Sequence, residues 1–200
     1  MSTEERKTIY LCLAHMSEEG YEQKYVKEAF DTNWVVPMGP NVNAFEQNLA
    51  DFANANSDGS KLARKVVCLS AGTAAVHLAL IACGVKAGDE VCVQSFTFCA
   101  SSHPIIYLGA KPVFIDSERE TWNMDPELLE KAIIERKTVT GKYPKAIIPV
   151  ALYGMPYDCE RIMAIADKYG ISVIEDAAEG MGARFNGQVL GTCLLYTSPS

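Results

Sequence analysis

Several things are missing from this 200-residue chain, and each absence removes a class of protein. No apolar run approaches the roughly 20 residues that a membrane-spanning helix needs. The opening MSTEERKTIY is polar and carries two acids, so it lacks the basic and apolar regions of a secretory leader. Excess positive charge is lacking too. With a formal net charge of −7, the average field repels nucleic acid and anionic membrane surfaces, and any phosphate must be met locally. There is no C-x-x-C pair among the seven cysteines, whose odd number and mostly apolar neighbours predict reduced thiols in a cytoplasmic protein. The three histidines, His15, His77 and His103, are scattered, so no metal site is expected. Repeats and low-complexity tracts are absent as well.

What is present is an alternation. Short β-branched runs occur at 66–69 (VVCL), 90–96 (EVCVQSF), 111–116 (KPVFID), 145–152 (KAIIPVAL) and 171–176 (ISVIED), separated by helix-period segments. That spacing predicts parallel strands joined by crossover helices, an α/β fold whose mostly parallel sheet is wrapped by helices on both faces. Gly84 with Gly88 and Gly170 are expected to end helices, and Asp125 followed by Pro126 to start one. Residues 54–65 and 136–145 read as surface connections. Ahead of them lie YEQKYVKEAF and NAFEQNLADFA, two helical segments flanking the turn-rich NWVVPMGPNV. The expected organisation is an N-terminal arm at 1–53 and a ligand-binding domain at 54–192.

In an open parallel sheet, ligands collect beyond the carboxyl ends of the strands. At the first of these ends, Ser70-Ala71-Gly72-Thr73 leads into a helix whose early N–H groups can meet an anion such as phosphate, although an ordinary Ser/Gly helix start has the same pattern. Phe98 can offer a flat face, beside the hydroxyls of Ser95 and Thr97, or can simply pack in a core. Asp176 closes the apolar run ISVI, where a carboxylate wants either a cationic partner, such as a protonated ring nitrogen, or backbone N–H groups to cap. No G-x-G-x-x-G follows the first strand, which disfavours nicotinamide chemistry. An anion cradle, an aromatic plate and a buried acid together describe a pocket for a phosphorylated, aromatic, basic ring.

These residues carry a family resemblance. The segments AHMSEEGYEQKYVKEAFDTNWVVPMGPNV, LSAGTAAVHLAL, SFTFCASSHPIIYLGAKPVFID, PVALYGMP and VIEDAAEGMG resemble the DegT/DnrJ/EryC1/StrS sugar aminotransferases, most of all those that aminate C4 of UDP sugars on the way to UDP-bacillosamine. The resemblance implies the large domain, here incomplete, of a fold-type I transferase dependent on pyridoxal 5′-phosphate (PLP). It further implies that Gly72 and Thr73 hold the cofactor phosphate, Phe98 stacks on the ring, Asp176 pairs with the ring nitrogen and Glu179 lies beside the ring substituents. Asn33, Trp34, Val35 and Val36 resemble the loop that meets the nucleotide sugar or the neighbouring subunit's site.

The implied reaction moves an amino group from glutamate to C4 of a UDP-4-keto-6-deoxy sugar for surface-glycan synthesis, in a cytoplasmic homodimer. A PLP or sugar-nucleotide binding module without catalysis, and a PLP-dependent sugar dehydratase, are the alternatives. The chain departs from the family after Thr192. There it reads CLLYTSPS, and the Schiff-base lysine that follows in the family is absent. Lys168, the last lysine, belongs to a predicted surface helix. Residues 193–200 are therefore expected to be a non-native tail, and the chain an inactive fragment of a longer enzyme.

Overall fold

A computed structural model describes residues 16–55 and 64–191, together with the backbone of 196–198. His15, Cys12 and Cys193, and the expected connection over 56–63, lie outside the described residues. In chain order the elements are α1 (Tyr21–Asp31), α2 (Pro40–Ala55), α3 (Gly72–Ala82), β1 (Glu90–Gln94), α4 (His103–Tyr107), β2 (Lys111–Ile115), α5 (Pro126–Thr140), β3 (Ala146–Ile148), α6 (Cys159–Tyr169), β4 (Ser172–Asp176), β5 (Arg184–Phe185), β6 (Gln188–Val189) and β7 (Tyr196–Ser198). Contacts divide the chain into two compact units, Met1–Phe45 and Glu46–Ser200. None of the described helices is long and apolar enough to cross a membrane.

In the first unit, Ser17 opens α1. Its hydroxyl accepts the Tyr21 N–H at 2.9 Å and donates to Glu22 at 2.6 Å, while its own N–H donates to the same carboxylate at 2.9 Å. This reciprocal exchange satisfies donors that a helix start otherwise leaves open. At the other end Thr32 closes α1, its N–H donating to the Glu28 carbonyl at 3.0 Å.

The second unit is built on a five-stranded sheet of order β2-β1-β3-β4-β7, every pair parallel. Period-two alternation sends successive side chains to opposite faces, and each face has its own helices. Val91, Val93, Ile148 and Ile174 pack with Val76 and Leu80 of α3 and Ile105 of α4. Cys92, Ile147 and Val173 pack with Leu129 and Ile133 of α5 and Ile162 and Ile165 of α6. The two-sided α/β architecture read from the alternating runs is therefore observed.

Local start and stop signals behave as their chemistry dictates. Asp125 caps α5, its carboxylate accepting the N–H groups of Glu127 and Leu128, with Pro126 in the first helical position. Gly84 and Gly170 follow α3 and α6 with φ of +73° and +66°, left-handed values that favour glycine. The five cysteines among the described residues are free thiols, and burial pushes that of Cys92 up to about 12.

Two expectations are corrected. The run 66–69 is not a strand: Val67 is 70% exposed, and the Cys68 N–H donates to the Glu46 carboxylate at 2.7 Å rather than to a ladder. A β-branched run becomes a strand only where a neighbour takes its hydrogen bonds, and among the described residues none runs alongside. The second concerns 136–145, whose first part is helix, α5 running through Thr140. Arg136 is held there by a two-pronged bond to Glu90 at 2.9 and 2.7 Å, and Gly141, with φ +75°, supplies the stop.

Candidate active site at the carboxyl edge of the sheet

The chain path puts the candidate residues on one edge. After α3 the chain turns through Gly84 and Gly88 into the start of β1, so α3 runs antiparallel to the strands. Its eleven residues rise about 16 Å, and a five-residue strand covers about the same distance. The N-terminus of α3, with Gly72 and Thr73, is thereby carried to the carboxyl edge, where β1 delivers Thr97 and Phe98 and β4 delivers Asp176.

Asp176 is the electrostatic centre of this edge. It is 6% exposed, and burial holds its carboxyl above the ordinary aspartate range, with the nearby Glu179 adding to the effect. Two donors oppose that rise. Ser101 donates its hydroxyl to Oδ2 at 2.6 Å, and the Ala178 N–H reaches Oδ1 at 3.3 Å. Among the described residues, no Lys, Arg or His forms an ion pair with it. A buried acid so placed has spare lone pairs and a deficit of positive charge, which suits a protonated heterocyclic nitrogen.

The start of α3 suits an anion. Ala71 is extended and supplies no side-chain cap, and the first helical bonds run from Ala74 and Ala75 to the Ala71 carbonyl. The N–H groups of Gly72 and Thr73 consequently precede the helical ladder, at the positive end of the helix. Phe98 is 76% exposed at the head of a single 3₁₀ turn, Cys99–Ser101, which packs against α3. Its ring is available as a plate. Glu179 is exposed, and its carboxylate accepts the Tyr153 N–H. The two loops meet closely, since a Cβ on Gly154 would lie 3.0 Å from the Glu179 carbonyl oxygen. Anion donors, aromatic face and buried acid fit a phosphorylated pyridine of the PLP kind.

Sequence reasoning missed three residues, Ser101, Gln94 and Asn123, and named Tyr153 only as a strand-end position. Ser101 joins Asp176 to Thr97, whose Oγ1 lies 2.9 Å from the Ser101 hydroxyl. The four-residue separation of Thr97 and Ser101, one turn, was a usable signal. Gln94 and Asn123 form a buried amide pair beneath the loops. Gln94 accepts the Met124 N–H at 2.8 Å and donates to the Phe96 carbonyl at 2.9 Å, while Asn123 donates to the Met155 carbonyl at 2.9 Å. A glutamine ending an otherwise apolar strand was the visible hint. Tyr153, at φ +52°, sets its ring edge-on to Phe96, which meets Trp122 the same way, with centroids 6.5 and 6.3 Å apart.

Asn33, Trp34, Val35 and Val36 lie in the first unit, in the loop between α1 and α2. Asn33 has φ +61°, and the Trp34 N–H donates to the Ala29 carbonyl at 2.8 Å. The Trp34 indole covers Gly39, where an added Cβ would come within 3.0 Å of the ring. Lys168, by contrast, is at the wrong edge of the sheet. It precedes the turn into the start of β4, is 61% exposed and pairs with Glu130 at 2.7 Å.

Comparison with known proteins gives this geometry its setting. Residues 16–200 match the model of the DegT/DnrJ/EryC1/StrS aminotransferase family. EpsN of Bacillus subtilis, which bears the name of a pyridoxal phosphate-dependent aminotransferase, is 50% identical over 186 residues, covering 93% of this chain and 45% of EpsN. A GDP-perosamine synthase of Caulobacter vibrioides is 37% identical, over 90% of this chain and 45% of its own length. The UDP-2-acetamido-2-deoxy-3-oxo-D-glucuronate aminotransferase of Pseudomonas aeruginosa is 44% identical, over 76% and 38%. A crystal structure of a family aminotransferase from Brucella abortus superposes with a TM-score of 0.73 at 31% identity, over 88% of this chain and 48% of that one. The chain thus spans less than half the length of the relatives it matches. It belongs to the DegT/DnrJ/EryC1/StrS aminotransferase family, whose members depend on pyridoxal phosphate.

Proposed function

We propose that this chain is the cofactor-binding part, centred on 54–192, of a cytoplasmic, homodimeric aminotransferase that moves an amino group from glutamate to C4 of a UDP-linked 4-keto-6-deoxy sugar for surface-glycan synthesis. The observation that carries the reading is Asp176, a buried acid without an ion-pair partner among the described residues, on the same edge as the open helix start at Gly72 and Thr73. Relatives named for UDP-sugar and for GDP-sugar chemistry support a nucleotide-sugar substrate.

Bound there, the cofactor supplies an electron sink for a carbanion next to the transferred nitrogen. Gly72 and Thr73 hold its phosphate with backbone N–H groups and a hydroxyl, and Phe98 covers one face of its ring. Asp176 keeps the ring nitrogen protonated, and Glu179 borders the ring substituents. Asn33, Trp34, Val35 and Val36 meet the nucleotide sugar or the partner subunit's site. The lysine that moves the proton in the family is not in this chain, and Lys168 cannot replace it from the opposite edge, so the chain alone binds without turning over.

Titration of the 200-residue chain with PLP, read by tryptophan fluorescence, tests the binding. Asp176→Asn removes one half of a buried charge pair, a loss of about 3 kcal/mol or roughly 100-fold in affinity. Equal binding by the wild type and this variant would overturn the assignment. Joining the chain to the C-terminal half of EpsN and offering UDP-linked and GDP-linked 4-keto sugars with glutamate tests the substrate. Amination of the UDP sugar is expected, and amination confined to the GDP sugar would refute the nucleotide assignment.

A further inference from the structure

We propose that Thr97 and Ser101 form a one-way hydroxyl relay that keeps Asp176 a carboxylate, making Ser101 the positioning residue for the acid's grip on a protonated ring nitrogen. The second part rests on the cofactor reading above; the first stands on geometry alone. Ser101 is 1% exposed, and its single hydroxyl proton is committed to Asp176 Oδ2 at 2.6 Å. With Asp176 ionised, the 2.9 Å contact with Thr97 therefore runs from Thr97 as donor to Ser101 as acceptor. Donors aligned in series polarise one another, so the second hydroxyl strengthens the first.

The electrostatic surroundings show why a relay is needed. The titratable groups bearing on Asp176 are Glu179, in the turn after β4, and Glu175, on the opposite face of the same strand, both acidic. Glu179 favours the protonated acid, burial does so more strongly, and Asp176 in turn raises Glu175. Among the described residues, only the Ser101 hydroxyl and the longer 3.3 Å contact from the Ala178 N–H stand against these. A protonated Asp176 would have its own hydrogen to place and no charge to offer a pyridinium.

The test uses the chain with its aspartate side-chain carboxyls labelled with carbon-13, the Asp176 signal being identified by its loss in Asp176→Asn. Ser101→Ala should move the Asp176 titration upward by about one pH unit, the effect of losing one hydrogen bond to a charged group. Thr97→Val should move it in the same direction by less, and Ser101→Thr, which restores the hydroxyl, should return it to the wild-type position. In PLP titrations, Ser101→Ala should weaken binding about tenfold, while an analogue with carbon in place of the ring nitrogen binds wild type and variant alike.

An unchanged Asp176 titration in Ser101→Ala, or failure of Ser101→Thr to restore it, overturns the relay. Equal loss for both probes overturns the link to the ring nitrogen. If Asp176→Asn binds PLP as the wild type does, the cofactor reading fails by itself, and the carboxyl titration still decides the relay.

Discussion

Glu175 is a buried acid that the proposed chemistry does not use, and replacing it should stabilise the protein in a pH-dependent way. It has no exposed surface, and its Oε2 accepts the Gly191 N–H at 3.1 Å. Burial pushes its carboxyl up to about 7, with repulsion from Asp176 adding to the rise and the Gly191 N–H opposing it. Because the folded value lies above the ordinary 4.5, the favourable contribution is complete below that pH and is lost as pH rises through 7. At about 1.36 kcal/mol per pH unit the whole effect is about 3.4 kcal/mol, of which about 2.5 kcal/mol falls between pH 5 and pH 8. Glu175→Gln keeps the shape and an oxygen for Gly191 but cannot ionise. Urea denaturation of both proteins at the two pH values should show the variant gaining about 2.5 kcal/mol on the wild type as pH rises. A constant difference across that range would refute the reasoning, since it would mean that Glu175 binds its proton equally well in the folded and unfolded states.

Two further outcomes are expected from the same assay. Asp125→Ala removes the carboxylate that accepts two N–H groups at the head of α5 and should lower stability by about 1 kcal/mol, with Asp125→Asn recovering most of it. Gln94→Leu strands the buried Met124 N–H and the Phe96 carbonyl, a loss of about 3 kcal/mol. An unaltered urea midpoint in that variant would show that the amide pair does not tie the edge loops together.

Legibility in the sequence followed the range of each interaction. The runs that became β1 to β4 are continuous and apolar because both faces of a parallel sheet are covered, and that pattern needs no partner to be read. Asp125-Pro126 and Gly170 are equally local signals. The run at 66–69 has the same composition as a strand yet is not one, since pairing depends on a neighbour remote in sequence. The extra turn of α5 was missed because its anchor, the Arg136–Glu90 bond, spans 46 residues. In the site, Asp176 was readable as an acid ending an apolar run. Ser101 was not, because its importance comes from a contact across 75 residues.

The neighbouring acids on β4 have a consequence for how this segment can change. Glu175 points with Val173 toward α5 and α6, whereas Asp176 points with Ile174 toward α3 and Ser101. Losing or gaining one residue within 171–176 would exchange their assignments, turning the longer acid toward α3 and Ser101 and leaving the shorter one to reach Gly191. Variation along this strand is thus confined to swaps of side chain at constant length.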